Sequence, residues 1–241
     1  MTEELKKVLE ELRSNDEHPE RGEIKFVKDG CGFVYFERLT PNHWERWHKN
    51  GQLSCRANYN DGQLDGLWES WYPNGQLVRR ATYENGKEEG LDEEWYENGQ
   101  LEARTNYKNG QLEGVDEVWY PNGQIKARGN YKNGELDGEI EQWWNNGQLA
   151  TRCNYKDGQL EGLRESWHEN GQLMRRENYK NGLQDGLSER VSPVPGKIVK
   201  AIYNDGIMQS STLVDHFTDL SIKEDKKKII LKPKKKGGVK L

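Results

Sequence analysis

Apolar and polar side chains alternate along most of this chain with a period of two, which is typical of half-buried β-strands. Within residues 66–83 (GLWESWYPNGQLVRRATY), two such runs flank the tetrapeptide Pro73-Asn74-Gly75-Gln76. Asn-Gly between strand-forming runs favours a two-residue type I′ turn, because both central residues of that turn need positive φ. The segment is therefore predicted to form a β-hairpin.

This hairpin pattern recurs every 24 residues, six times and without insertions. Tyrosine keeps the period at Tyr59, Tyr83, Tyr107, Tyr131, Tyr155 and Tyr179. Tryptophan keeps it at Trp71, Trp95, Trp119, Trp143 and Trp167. Two further glycine series share the period, one of them following Asn or Asp. A fixed period of this length indicates a repeat array rather than a conventional globular domain.

The predicted turn also sets a register. If the turn is Asn74-Gly75, Glu69 lies directly opposite Arg80, and the two side chains form a cross-strand ion pair worth about 0.2–1 kcal/mol. The same pairing is predicted in the hairpins that follow, for Glu93 with Arg104, Glu117 with Arg128, Glu141 with Arg152, and Glu165 with Arg176. Glu45 with Arg56 and Glu189 with Lys200 extend the series at its two ends.

The two faces of each hairpin are both too polar to pack beneath a second full layer. We therefore expect an all-β repeat: an elongated, twisted, antiparallel meander of stacked hairpins, largely one layer thick, with aromatic rings stacking from repeat to repeat. The array is assigned to residues 43–208, as six clear repeats and a degenerate seventh in which Pro193-Val194-Pro195-Gly196 replaces Asn-Gly.

Both ends of the array are expected to be capped, because terminal repeats otherwise expose apolar edges. Residues 1–42 form the N-terminal cap. An amphipathic helix is predicted over residues 2–13 with Thr2 as its N-cap, followed by a hairpin over residues 23–39. Residues 209–222 form the C-terminal cap, for which a short helix is predicted over residues 211–220.

The chain ends in a segment of a different composition. Residues 223–241 contain nine lysines against Glu224 and Asp225, a charge of +7, so the rest of the chain carries −12 given the total of −5. This basic, flexible tail is a candidate for contacts with phosphate groups of nucleic acid or anionic lipid. Its alternative role is simply to aid solubility. The candidate contacts are Lys226, Lys227, Lys228, Lys232, Lys234, Lys235 and Lys236.

The pattern Tyr-x-x-Gly-x-x-x-Gly-x-x-x-x-Trp-Tyr-x-Asn-Gly-x-Leu, which runs over residues 59–77, resembles the MORN repeat. It is most similar to the variant found in bacterial YwqK-type antitoxins and in MORN-repeat proteins of large DNA viruses. The resemblance covers about residues 43–208. It implies stacked hairpins in an open sheet, and a role in binding proteins or membranes and in scaffolding.

The sequence carries no recognisable catalytic or metal-binding constellation. None of the five histidines has HExxH spacing or a cysteine at metal-ligand spacing, and GxSxG, P-loop and dinucleotide-binding motifs do not occur. His48 and His168 stand at the repeat position of Tyr72. We expect no enzymatic activity and no cofactor. Three cysteines without CxxC spacing, no signal sequence and no apolar span favour an intracellular protein, cytoplasmic or associated with the nucleus or a virion.

Four functions remain open from sequence. The first is a protein-interaction scaffold that uses the repeated aromatic residues as anchors, although these rings also serve to hold the sheet together. The second is a binder of nucleic acid or membrane through the tail. The third is an antitoxin-like partner of a toxin, and the fourth is a structural component of a virus particle. The partner is unknown, and self-association is a further expectation.

Overall fold

The computed structural model describes residues 2–16, 22–28 and 34–215. One helix precedes a single antiparallel sheet of 22 strands that pair in chain order. The elements are α1 (Glu3–Ser14), β1 (Lys25–Lys28), β2 (Val34–Thr40), β3 (His43–Trp47), β4 (Leu53–Asn60), β5 (Gln63–Trp71), β6 (Leu77–Glu84), β7 (Lys87–Glu88), β8 (Gly90–Trp95), β9 (Leu101–Lys108), β10 (Gln111–Leu112), β11 (Gly114–Trp119), β12 (Ile125–Lys132), β13 (Glu135–Leu136), β14 (Gly138–Trp143), β15 (Leu149–Lys156), β16 (Gln159–Leu160), β17 (Gly162–Trp167), β18 (Leu173–Lys180), β19 (Leu183–Gln184), β20 (Gly186–Val191), β21 (Lys197–Asn204) and β22 (Ile207–Asp215). The predicted open meander of hairpins is confirmed.

Each repeat contains two different turns, and the type I′ assignment to Asn74-Gly75 was wrong. Only Gly75 has positive φ there (+86°), while the Tyr72 N–H donates to the Gln76 carbonyl and the Gly75 N–H donates to the Tyr72 carbonyl. This is a three-residue loop that ends in a left-handed glycine. The type I′ turns lie at the opposite edge of the sheet, for example at Asn85 (φ +50°) and Gly86 (φ +77°).

A β-bulge next to the longer turn restores the predicted register. Trp71 pairs with Leu77, whereas Ser70 pairs with Arg79, so one extra residue lies on β6. The extra residue offsets the longer loop, and Glu69 therefore faces Arg80 as predicted. The right register thus arises from a different turn.

The third glycine series marks an irregularity in the strand that follows most of the type I′ turns. Gly90, with φ +81°, is the first residue of β8, which Glu89 separates from β7. On strand β6, Tyr83 and Arg80 are three residues apart, whereas their partners Glu88 and Glu93 are five residues apart. The segment that contains β7 and β8 therefore has two more residues than the part of β6 that it faces. A left-handed residue at this position is costly for any side chain with a Cβ atom, which explains the glycine in every copy.

Asparagine side chains tie neighbouring repeats together at the longer turn. The Asn98 Oδ1 accepts the Gln100 N–H at 3.0 Å, and the Asn98 Nδ2 donates to the Pro121 carbonyl of the next repeat at 2.8 Å. Asn50 and Asn146 make the same two bonds. One side chain therefore both closes its own turn and fixes the adjacent one.

Replacing Asn98 with alanine is expected to destabilise the array more than the same change at Asn170. Asn170 closes its own turn, but its Nδ2 reaches only Gln172 within its own repeat. The difference between the two losses of stability measures the hydrogen bond between repeats, which contributes about 0.5–1.5 kcal/mol. Amide hydrogen exchange of the adjoining strands measures it, and equal effects of the two substitutions would contradict this role for Asn98.

At the N-terminal end, α1 and the paired strands β1 and β2 lie where the sequence predicts a helix and a hairpin, and residues 29–33, which connect the two strands, lie outside the described residues. The Thr2 Oγ1 accepts the Leu5 N–H and begins α1, whose apolar side packs on the first strands. Four buried residues form the core of this cap: Leu9, Ile24, Phe36 and Trp47. Because the sheet itself is one layer thick, this is where conventional apolar packing is concentrated.

The predicted C-terminal helix was wrong over the residues that the structure describes. Residues 211–215 belong to strand β22, which pairs with β21 from Ile207 to Asp215. The run Ser211–Val214 (STLV) includes the β-branched residues Thr212 and Val214, which favour a strand over a helix. Residues 216–222 and the lysine tail 223–241 lie outside the described residues.

Candidate interaction faces of the repeat array

Charges of alternating sign cross the whole sheet in one row, from strand to strand. In every repeat the central Glu of the first strand pairs in register with the central Arg of the second, and that Arg pairs with the Glu of the next repeat. The sheet surface that carries this row is called the ladder face. The row runs Arg38, Glu45, Arg56, Glu69, Arg80, Glu93, Arg104, Glu117, Arg128, Glu141, Arg152, Glu165, Arg176, Glu189 and Lys200.

Most of the expected ion pairs within hairpins are present. The Glu69 carboxylate accepts from Arg80 at 2.9 Å and also from Arg56 of the preceding repeat at 2.5 Å, and its side chain is only 3% exposed. Closest N–O distances are 2.9 Å for Glu93 with Arg104, 2.7 Å for Glu117 with Arg128, and 2.7 Å for Glu165 with Arg176. The Arg side chains lie over the buried carboxylates and remain about half exposed.

Two expected pairs do not form, although the register opposes both. Arg152 lies 3.4 Å from Glu165 and 3.8 Å from Glu139, and Glu141 makes no ion pair with any residue that the structure describes. Arg56 likewise turns to Glu69, while Glu45 contacts Arg38 at 3.4 Å. An Arg in this row has a Glu on each side, so the sequence could not determine which one it contacts.

The recurring tryptophans that end the first strand of each hairpin, such as Trp71 and Trp119, lie on the ladder face and are half-buried, but they do not stack on one another. Each is paired across the strands with an aliphatic side chain, as Trp71 is with Leu77 and Trp119 with Ile125. Within the described residues the one ring–ring contact is Phe26 with Phe36. Guanidinium groups take the place of ring partners: Arg56 lies 5.6 Å from the Trp71 ring centre and Arg104 lies 5.9 Å from that of Trp119.

The sequence showed a second aromatic series at the repeat position of Tyr72, but not the hydrogen bonds by which it links the repeats. The Tyr72 hydroxyl donates to the Trp95 carbonyl of the next repeat at 3.1 Å, and the Tyr96 hydroxyl donates to the Trp119 carbonyl at 2.8 Å. The Trp144 indole N–H makes the equivalent bond, and His48 lies 2.9 Å from the Trp71 carbonyl. These bonds could have been predicted from the recurrence, every 24 residues, of an aromatic side chain with a hydrogen-bonding group at the position of Tyr72.

The opposite surface is called the variable face, because its central residues differ among the repeats while those of the ladder face do not. Its first-strand position holds Trp44, Trp68, Asp92, Asp116, Ile140, Arg164 and Ser188 in successive copies. The ladder position beside it is Glu in all seven copies. Some neighbours on the variable face are matched in charge, as in the Arg79 hydrogen bonds to Asp92.

The tyrosines Tyr59, Tyr83, Tyr107, Tyr131, Tyr155 and Tyr179 line one side of the variable face and are half-buried. The Tyr83 hydroxyl lies 3.1 Å from the Glu88 carboxylate. Burial, helped by the charges of Glu88 and Asp92, raises the pKa of the Tyr83 and Tyr107 hydroxyls. Each repeat thus has a tyrosine at the edge of the variable face, whereas the residues at the centre of that face differ from repeat to repeat.

Cavities and buried thiols also lie on the variable face. A cavity of about 370 Å³ includes Gly129, Ile140 and Cys153 in its wall. Burial raises the pKa of the Cys55 thiol to about 11 and also raises that of Cys153, so both thiols stay protonated near neutral pH. Cys31 lies outside the described residues.

In the part of the chain that the structure describes, no group of three or more His, Cys, Asp or Glu side chains is placed to hold a metal ion. No helix in residues 2–16, 22–28 or 34–215 is long and apolar enough to cross a membrane.

Comparison with known proteins gives one informative result. No curated protein sequence matches the chain. Among solved structures, a chain in the crystal structure of the GtfA/B complex bound to UDP and GlcNAc is 16% identical, with a TM-score of 0.26. That match covers 48% of this chain and 25% of the other, and so slight a likeness carries no argument.

The family comparison is specific. The profile described as "MORN repeat variant" matches six times, at residues 42–61, 64–85, 88–109, 112–133, 136–157 and 160–181. These matches cover more than half of the chain and follow the observed 24-residue hairpins. The chain belongs to the family of MORN-repeat variant proteins.

Proposed function

We propose that this protein is a non-catalytic interaction scaffold that binds a protein partner through the variable face of its repeat array. The observation that carries the proposal is the contrast between the two faces. The ladder face repeats the same Glu and Arg at its centre, with Lys200 in place of Arg in the last copy, and its carboxylates are largely paired with arginine. The variable face keeps the same backbone but presents different chemistry in each repeat.

That variation supports recognition because the fold does not require it. A residue that each repeat needs for folding recurs in each repeat, as the Glu, Arg, Trp and glycine series do. At the centre of the first strand, the variable face changes from Trp44 and Trp68 through Asp92, Asp116 and Ile140 to Arg164. A surface whose chemistry changes in this order along its length favours one orientation of an elongated partner.

The tail provides the second candidate function. Residues 223–241 carry +7, which favours contacts with nucleic acid or anionic lipid, and the array then serves as a spacer. The antitoxin-like and virion roles are narrower versions of the scaffold. They rest on the family resemblance alone, and no residue of this chain distinguishes them from a scaffold of another kind.

An affinity pull-down from the native host separates the array from the tail. The full chain and a chain that ends at Ser221 are each washed at low and at high salt. Phosphate contacts made by lysine weaken steeply as the salt concentration rises. We expect the shortened chain to retain its partner at high salt. Loss of every partner on removal of the tail would show that the lysines, and not the array, bind the partners.

A further inference from the structure

Two arginines oppose each other on the variable face near the C-terminal end of the array. Arg175 of β18 and Arg190 of β20 are direct cross-strand neighbours. Among all strand pairings in the described residues, theirs is the one that opposes two like charges. Like charges placed directly opposite destabilise a sheet, so this pair works against folding.

The other repeats show that the fold does not require these arginines. Near the N-terminal end of the array, the equivalent positions hold Arg79 and Glu94, which form an ion pair at 3.6 Å. The remaining equivalents are uncharged, for example Thr151 with Ser166. Arg175 gains an ion pair with Glu177 at 3.5 Å, but Arg190 gains none among the described residues. A charge placed at a cost to stability in this way is typical of a functional site.

The arginine pair lies in the wall of a cavity of about 340 Å³. Ser188, Tyr203 and Ser211 bring hydroxyl groups to the same wall, and Val199 and Met208 bring apolar surface. Guanidinium groups with hydroxyl donors around them are the usual ligands of an oxyanion. The apolar side chains suit the organic part of a molecule that carries such an anion.

One carboxylate, that of Glu177, shares this cavity but is already engaged. Its side chain is 5% exposed and accepts from the Gln184 amide at 2.6 Å and from the Tyr179 hydroxyl at 3.3 Å. It lies 3.5 Å from Arg175 and directly opposite Arg164. Arg190 is exposed and makes no ion pair with any residue that the structure describes.

We propose that Arg175 and Arg190 form a binding site for a phosphate group. Two guanidinium groups match the charge of a phosphate dianion, and each can donate two hydrogen bonds to its oxygens. Phosphate bound between them removes the repulsion that the pair otherwise suffers. The phosphate group belongs either to a free phosphate compound or to a phosphorylated side chain of a partner. The site goes beyond the scaffold function and does not depend on it.

Calorimetric titration of the full chain, at constant ionic strength, tests the site with inorganic phosphate, O-phosphoserine and O-phosphotyrosine. We expect saturable binding of phosphate. Tighter binding of an O-phospho amino acid assigns the site to a phosphorylated side chain, and equal affinities assign it to free phosphate. Absence of saturable binding of all three probes overturns the proposal.

The decisive variant is Arg190→Glu, which recreates the Arg79–Glu94 pair found elsewhere in the same sheet. We expect it to lower phosphate affinity at least tenfold while raising the thermal midpoint of unfolding in phosphate-free buffer. The matched control is Arg104→Gln on the ladder face, which removes an arginine of similar exposure from an existing ion pair with Glu93. It should lower the midpoint and leave phosphate affinity unchanged.

The two variants also guard against a general effect of phosphate as a solute, which stabilises many proteins by exclusion from their surface. If Arg190→Glu binds phosphate as tightly as the unmodified chain, the site does not exist. The same conclusion follows if Arg104→Gln loses affinity to the same extent as Arg190→Glu, because the binding would then reflect net charge alone.

Discussion

Replacing Phe36 with alanine is expected to destabilise the N-terminal cap by about 3–5 kcal/mol, the largest effect of any single change considered for this chain. Phe36 is fully buried between α1 and the first strands, where it packs with Leu9, Ile24 and Trp47. Its ring also contacts that of Phe26 at a centre-to-centre distance of 6.1 Å. Within residues 2–16, 22–28 and 34–215, the one-layer sheet has no second cluster of buried apolar residues to compensate for the cavity.

Amide hydrogen exchange across β2 and β3 measures this loss, because local opening of the cap is resolved from unfolding of the array. The matched control is Leu39→Ala on the same strand, where the side chain is 70% exposed and the expected change is within about 0.5 kcal/mol. Similar changes in protection for the two substitutions would show that the cap does not depend on this core.

Glu69→Gln is expected to lower the stability of the neighbouring strands by about 1–2 kcal/mol. The carboxylate of Glu69 is 3% exposed and accepts hydrogen bonds from both Arg56 and Arg80. Charge-assisted bonds contribute about 1.5–3 kcal/mol each when buried, but the two arginines are 40% and 49% exposed, so solvent screening reduces the total.

Glu141→Gln provides the comparison at the same position of another repeat. Glu141 occupies the ladder row but makes no ion pair with the described residues, so its substitution is expected to change stability by less than about 0.5 kcal/mol. Hydrogen exchange of β4–β6 for Glu69 and of β14–β15 for Glu141 measures the two effects. A loss at Glu141 equal to that at Glu69 would show that backbone register, and not the ion pair, accounts for the stability.

The 24-residue period was sufficient to predict the hairpins, their antiparallel order and the opposition of Glu69 to Arg80. It was not sufficient to distinguish the two Asx-Gly turns of each repeat. Asn74-Gly75 and Asn85-Gly86 have the same local sequence, yet only the second adopts the type I′ conformation. Proline at position 73 does not explain the difference, because the same three-residue loop forms where Glu97 or Asn145 stands at the equivalent position. The longer loop goes together with the bulge on β6 that keeps strand register.

The functional surfaces were only partly predictable. The repeated aromatic residues and the ion pairs could be read from recurrence, but the partner of Arg152 depends on side-chain geometry between two equivalent carboxylates. The Arg175–Arg190 pair was not found from sequence, because a residue in one repeat meets a residue of the next across an irregular strand with a glycine break. Recurrence reveals what the repeats share, whereas recognition depends on how they differ.

The central claim is that the variable face binds the partner, and two exposed positions on opposite faces of adjacent repeats test it most directly. Gln142 lies on the variable face, and Leu163, which is 42% exposed, lies on the ladder face. The partner recovered with the unmodified chain is titrated against Gln142→Arg and Leu163→Arg. We predict at least a tenfold loss of affinity for Gln142→Arg and none for Leu163→Arg. The reverse result would place binding on the ladder face and contradict the account.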